Sequence, residues 1–141
     1  MIVFPPELER EAFRISNGEY GWTREQIPQV VGIVRSHQFA ILGGELWWVV
    51  DGILNPRAGI PQRSGPPGVY SWTTERRLWE SWTSFADRGA TEALDAVNRW
   101  PAPEDLQLDL PGQILYNLCW VSEDKFKTLK LNRPSLNYPP R

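Results

Sequence analysis

Apolar side chains recur at helical spacing in several stretches of the chain. The longest stretch is residues 75–99, where one sector of about 100° is apolar and the opposite sector is charged. Its apolar positions are Leu78, Trp79, Trp82, Phe85, Ala86, Gly89, Ala93, Ala96, Val97 and Trp100. This pattern predicts one long amphipathic helix that packs on a sheet.

Two shorter helices are predicted before it. Residues 6–15 form the first, and Asn17-Gly18 is expected to end it as a left-handed C-cap. The second starts at Pro28, because a proline in the second turn of a helix capped at Thr23 would be costly. Its apolar stripe consists of Ile27, Val30, Val31 and Val34.

Strand signals occupy the middle of the chain. Residues 39–50 are the strongest, and Gly43-Gly44 within them marks a bulge, a break or a close approach of another backbone. Asp51-Gly52 is a hairpin turn signal, after which Ile53-Leu54 starts the return strand. Residues 55–68 are rich in proline and glycine and are predicted to form a loop.

Two further strands, residues 69–73 and 113–121, complete the predicted sheet. Ser122 is expected to cap a last short helix, and residues 132–141 are expected to be an extended or disordered tail. The order of elements predicts an α+β fold in which a single domain, residues 1–131, packs a largely antiparallel sheet against the long helix and shorter flanking helices.

The adjacent tryptophans of strand 39–50 must point to opposite faces of the sheet. Alternation groups Leu42, Leu46, Trp48 and Val50 on one face and Ile41, Glu45, Trp47, Val49 and Asp51 on the other. The second face carries carboxylates that need water or a partner, so Trp48 is predicted in the core and Trp47 at a surface that a partner covers. A shift of register at the glycines, or a helix of this chain lying over Trp47, are the alternatives.

The composition is that of a globular domain with no strong charge bias. Hydrophobic residues make up 41% of the chain, charged residues 23%, and the formal net charge is −2. A nucleic-acid binder would need a basic footprint, and a membrane protein a run of about 18 apolar residues. We therefore expect neither partner. The single cysteine permits no internal disulfide, and no signal-peptide pattern opens the chain, so a cytoplasmic protein is expected.

Candidate catalytic groups are few. The only histidine, His37, and the only cysteine, Cys119, cannot form a usual zinc site, and Cys119 is expected to be an inert thiol buried in a strand. Ser122 and Lys125 match an S-x-x-K pattern whose companion motifs are missing, so helix capping is the simpler interpretation. We expect no catalytic residue, no metal and no cofactor.

The aromatic residues are more informative, since tryptophan is favoured at the centres of binding surfaces. Among the 8 tryptophans, Trp22, Trp47 and Trp72 are the ones whose burial the pattern leaves open. We therefore predict a partner-binding surface formed by Glu19, Trp22, Glu45, Trp47 and Asp51.

The opening FPPELEREAFRISNGEYG resembles the start of SUKH-type immunity proteins, which protect bacteria from toxins. Phe4 or Pro5 with Pro6 corresponds to the family's hydrophobic-proline pair, Phe13 to an apolar helix position and Asn17-Gly18 to its turn. Glu19 stands where family members usually have a second glycine. The resemblance implies an α+β protein that binds a cognate toxin domain, and it carries over no catalytic residue.

Two functions of different classes follow. The first is an immunity-type binding protein, not an enzyme, that neutralises a toxin domain by forming a complex, and whether it is a monomer or a homodimer is left open. The second is a small-ligand-binding domain or small enzyme with a pocket near Glu19, Glu45 and Gly43-Gly44.

Overall fold

The computed structural model describes residues 5–55 and 59–131. The helices are α1 (Pro6–Glu9), α2 (Ile27–Ser36), α3 (Trp82–Arg99) and α4 (Glu123–Leu131), with short 3₁₀ turns at Arg24–Gln26 and Pro103–Asp105. The strands are β1 (Phe13–Arg14), β2 (Tyr20–Gly21), β3 (Ala40–Val50), β4 (Ile53–Leu54), β5 (Ser71–Thr73) and β6 (Gln113–Val121). The predicted tail 132–141 lies outside the described residues.

Strand β3 is the centre of an antiparallel sheet. β6 pairs with it along one edge, from Ala40 opposite Val121 to Val49 opposite Gln113. Along the other edge β3 pairs with β5 and then with β4. The Asp51-Gly52 turn joins β3 to β4 as predicted, with positive φ values at both residues. The predicted α+β class with a largely antiparallel sheet is confirmed.

Helices α2 and α3 cover one face of this sheet. The predicted stripe of α2 is buried, and α3 contributes Ala93, Ala96 and Val97 to the same core cluster as Trp48, as does Trp100 directly after the helix. Helix α3 approaches β3 so closely at Gly89 that an added Cβ would lie 2.6 Å from the carbonyl oxygen of Ile41. The predicted burial of Trp48 and of the α3 face is therefore confirmed from Trp82 onward.

Two predicted helices are shorter than expected. Helix α3 begins at Trp82 and not at residue 75, because the Ser81 hydroxyl caps it by accepting a hydrogen bond from the Ser84 N–H at 3.1 Å. Leu78 and Trp79 consequently lie outside the helix and are exposed, so their predicted place in the core is wrong. Helix α1 ends at Glu9, well before residue 15.

The chain after α1 forms a two-stranded ribbon. β1 pairs antiparallel with β2, with Phe13 opposite Gly21 and Arg14 opposite Tyr20. Asn17-Gly18 is therefore part of a ribbon turn and not a helix C-cap, although Gly18 has the expected positive φ of 88°. We call residues 13–21 the ribbon.

The glycines of β3 adjoin a bulge, which is one of the alternatives that the sequence predicts for them. The register with β6 shifts between Ile41 and Gly43, which places Ile41 in the main core and Leu42 against a second cluster around Phe85. The predicted face of Ile41 is therefore wrong, while those of Trp47 and Trp48 are correct. The shift ends before Glu45, so it does not alter the faces of the later residues.

Candidate functional site

The ribbon covers Trp47. The ring is 3% exposed and packs with Ile15, Val49 and Leu115 in a small cluster on the face opposite α3. At Gly21 an added Cβ would lie 3.3 Å from the Trp47 ring, so the ribbon backbone lies directly on it. The expectation that Trp47 faces outward is wrong. The cover is a ribbon of this chain, not a partner and not a helix.

Trp22 is also buried, at 1% exposure. Its indole Nε1 donates a hydrogen bond to the Leu8 carbonyl oxygen at 3.3 Å, and its backbone N–H donates to the carbonyl oxygen of Tyr116 at 2.9 Å. Its ring lies against Trp120. Trp22 therefore ties α1 and the end of the ribbon to β6, and the predicted exposure of this ring at a binding surface is corrected.

The three predicted carboxylates are exposed, and all adjoin the ribbon or the cluster beneath it. Glu45 accepts a hydrogen bond from the Trp47 indole at 3.0 Å. Glu19 accepts one from the Asn17 side chain at 2.6 Å, while its backbone oxygen accepts from the Ile15 N–H at 2.9 Å. Asp51 precedes Gly52, whose carbonyl oxygen accepts from the Ser16 N–H of the ribbon at 2.9 Å. We call this surface, with Glu19, Glu45 and Asp51, the acidic face.

Among the described residues, each of the three carboxylates lines a different groove. Glu45 lines a groove of about 230 Å³ beside β4 and β5, Glu19 one of about 260 Å³ beside Cys119, and Asp51 one of about 460 Å³ beside Phe13. None of these grooves holds two of the three side chains. The predicted pocket at Gly43-Gly44 is also filled by neighbouring atoms. An added Cβ at Gly44 would lie 2.5 Å from the Asn117 carbonyl oxygen.

Cys119 and His37 have separate surroundings. Cys119 is exposed, contrary to the predicted buried thiol, yet desolvation by its neighbours and the charge of Glu19 raise the pKa of the thiol. It is therefore mostly protonated at neutral pH and a weak nucleophile. His37 caps α2, stacks on Phe39 and lies 3.7 Å from the Glu7 carboxylate.

Two further expectations concern chemistry. The Ser122 hydroxyl accepts a hydrogen bond from the Lys125 N–H at 3.2 Å, which is the predicted capping role. Within residues 5–55 and 59–131, no group of three or more histidine, cysteine, aspartate and glutamate side chains has an arrangement suited to a metal ion.

An exposed loop between β5 and α3 is not predicted by the sequence pattern. Residues 74–81, which we call the Trp79 loop, are held by Arg88, whose guanidinium donates to both carboxylate oxygens of Glu80 at 2.7 Å. This pair lowers the pKa of Glu80 and raises that of Arg88. Ser81 is the signal that could have revealed the loop, since serine is a preferred N-cap.

Comparison with known proteins identifies a family but no individual relative. No curated protein and no solved structure matches the chain. In the part of the chain that the structure describes, no helix is long and apolar enough to cross a membrane. A family model described as Immunity protein 40 matches residues 11–110, which is more than half of the chain. The predicted immunity-type resemblance is thus confirmed in general, while its SUKH form is not shown. The chain belongs to the immunity protein 40 family.

Proposed function

We propose that this protein neutralises a cognate bacterial toxin domain by forming a protein–protein complex, without catalysing a reaction. Membership of an immunity protein family indicates toxin neutralisation in general. The observation that carries the finer proposal is the acidic face, where exposed Glu19 and Asp51 adjoin the ribbon and exposed Glu45 binds the Trp47 indole beneath it. Its partner would be a basic surface of the toxin domain.

The acidic face suits recognition because its groups are held in place before binding. The Trp47 indole restrains Glu45, and the Asn17 amide restrains Glu19. Asp51 lies in a tight turn with φ of 53°. Side chains that are already ordered lose less conformational entropy on binding, and carboxylates around a surface speed the approach of a basic partner.

We expect Trp22 and Trp47 to support this surface from the protein interior and not to contact the toxin domain. Both rings are buried, so they support the ribbon that carries Glu19. The proposed contact residues are therefore Glu19, Glu45 and Asp51.

The test is a triple variant with Glu19→Gln, Glu45→Gln and Asp51→Asn, measured against a toxin domain encoded by a neighbouring gene. The amides keep the side-chain shapes and remove three negative charges. We expect the association rate to fall about tenfold or more at low salt, with a smaller difference at high salt because salt screens the attraction. Rates can be measured by surface plasmon resonance.

A second triple variant provides the matched control. Glu25→Gln, Asp95→Asn and Asp124→Asn remove the same charge from exposed positions elsewhere. If both variants slow association equally, net charge and not the acidic face determines binding. If the wild-type protein neither binds the toxin domain nor protects cells that express it, the proposed function is wrong.

A further inference from the structure

Asn117 is a polar residue in the middle of the mostly apolar strand β6. It lies directly opposite Glu45 of β3, and Leu115, two positions earlier, lies opposite Trp47. Directly opposite residues share a face of an antiparallel sheet, so Asn117 lies on the face that carries Glu45 and Trp47. It also lines the same groove of about 260 Å³ as Glu19. Asn117 therefore neighbours two carboxylates of the acidic face.

The Asn117 side chain joins the ribbon to the sheet. Its Nδ2 donates a hydrogen bond to the Tyr20 carbonyl oxygen at 3.0 Å, across a separation of 97 positions in the chain. Tyr20 directly follows Glu19, whose own carbonyl oxygen closes the ribbon turn by accepting from the Ile15 N–H. The bond from Asn117 therefore holds the part of the ribbon that carries Glu19.

Backbone pairing holds the ribbon to β6 only at its end. Trp22 forms an isolated bridge with Tyr116, in which the two residues exchange hydrogen bonds of 2.9 and 2.7 Å. Two residues earlier, at Tyr20, the attachment to β6 comes from the Asn117 side chain. The amide thus extends the attachment from Trp22 toward the ribbon turn.

An amide at this position gives a defined geometry more than it gives stability. An apolar side chain of similar size would be buried at a lower cost, because it would lose no hydrogen bonds to water. A hydrogen bond requires a particular distance and angle, so it favours one placement of the ribbon on β6. A two-stranded ribbon of this length has little stability of its own, so its placement depends on such contacts.

We propose that Asn117 is a positioning residue for the acidic face, which keeps Glu19 at a fixed distance from Glu45 by holding Tyr20 on β6. This inference rests on the proposed function. A basic surface of the toxin domain meets both carboxylates at once only while this spacing is kept. Asn117 acts through the ribbon and does not itself contact the toxin domain.

Hydrogen exchange of the protein alone tests whether Asn117 holds the ribbon. Asn117→Leu keeps a similar volume and removes the donor, which water replaces at the Tyr20 carbonyl oxygen when the ribbon lifts. The Ser16 N–H, bonded to the Gly52 carbonyl oxygen, should exchange about tenfold faster or more, while amides between β3 and β6 keep their rates. Asn98→Leu is the matched control, because Asn98 is exposed on α3, and it should change neither set of rates.

A double-mutant cycle tests the role in binding. Asn117→Leu should slow association with a toxin domain encoded by a neighbouring gene about twofold at low salt, as much as Glu19→Gln does. In the Glu19→Gln background it should have no further effect, since the positioned charge is gone. In the Asp51→Asn background the twofold effect should persist, because Asp51 lies in the turn between β3 and β4. A side chain that only stabilised the fold would act alike in both backgrounds.

The outcomes separate the two proposals. If the wild type does not bind the toxin domain, the proposed function fails, and the exchange rates alone decide whether Asn117 holds the ribbon. If the wild type binds and Asn117→Leu matches Asn98→Leu in exchange and in association, the inference is overturned while the proposed function stands. An equal loss of association rate in the Glu19→Gln and Asp51→Asn backgrounds also overturns it. If Asn117→Leu does not fold, Asn117→Ala is measured in its place.

Discussion

At the scale of single residues, tertiary contacts decide what each tryptophan does. The sequence pattern predicts Trp47 at a surface and Trp79 in the core, and the structure reverses both. Helical spacing alone predicts Trp79 in the core, although the helix begins only after the Ser81 N-cap, two residues further along the chain. The nearby carboxylates of Glu45 and Asp51 favour a surface position for Trp47. In the structure the ribbon covers the ring and leaves these carboxylates exposed.

Substitution of these two rings should change the stability by very different amounts. Trp47→Ala should lower the free energy of unfolding by about 3–5 kcal/mol, because it removes a buried aromatic side chain and leaves a cavity. Trp79→Ala should change it by less than about 1 kcal/mol. Urea unfolding followed by circular dichroism measures both. Equal stability of the Trp47 variant and the wild type would mean that the ribbon does not pack on this ring.

At the scale of secondary structure elements, local signals predict those elements whose ends are marked by strong turn or cap residues. The predictions of the Asp51-Gly52 turn and of the apolar stripe of α2 are confirmed for this reason. The ribbon was missed because Leu8, Ala12 and Ile15 also have helical spacing. In the structure Ile15 is buried against Trp47 and Leu115, and this long-range burial outweighs the weak preference of a short helix.

The Trp79 loop should depend on the ionisation of Glu80. Its carboxyl pKa is lowered in the folded protein, chiefly by the hydrogen bond from Arg88. Such a group stabilises the fold above its unfolded pKa of about 4.3, and this contribution disappears as the pH falls through the lower folded pKa. Glu80→Gln should therefore be less stable than the wild type at neutral pH, and the difference should vanish in acid.

Denaturant unfolding at a series of pH values measures this difference. Glu123→Gln is the control, because its pair with Lys127 is exposed and 3.9 Å long. Exposed pairs contribute at most about 1 kcal/mol, so this variant should stay close to the wild type throughout. A difference for Glu80→Gln that did not change with pH would contradict the assigned role of its charge.

At the scale of the whole molecule, β3 is buried on both faces. Helices α2 and α3 cover the side of Trp48, and the ribbon covers the side of Trp47. A strand covered on both faces needs a nearly continuous apolar run, and LWWVV is such a run. This signal was present in the sequence, but the flanking carboxylates favoured a strand with one wet face.

The domain boundary gives a prediction at this scale. We propose that residues 1–131 fold without residues 132–141, so a chain that ends at residue 131 should keep its thermal midpoint within about 2 °C, a shift that corresponds to less than about 1 kcal/mol. Differential scanning calorimetry measures this midpoint. A large loss of stability would place the last residues within the folded domain, and the proposed boundary would be wrong.

The sequence by itself determined the α+β class with a largely antiparallel sheet, the Asp51-Gly52 turn that joins β3 to β4, and the opposite directions of Trp47 and Trp48. These follow from periodicity and turn chemistry, which act between neighbouring residues. The tertiary structure alone decided that the ribbon covers Trp47, that Glu45 binds the indole of this buried ring, and that Trp79 is exposed. Each depends on contacts between residues far apart in the chain, such as Gly21 with Leu115, whose energies no local pattern reports.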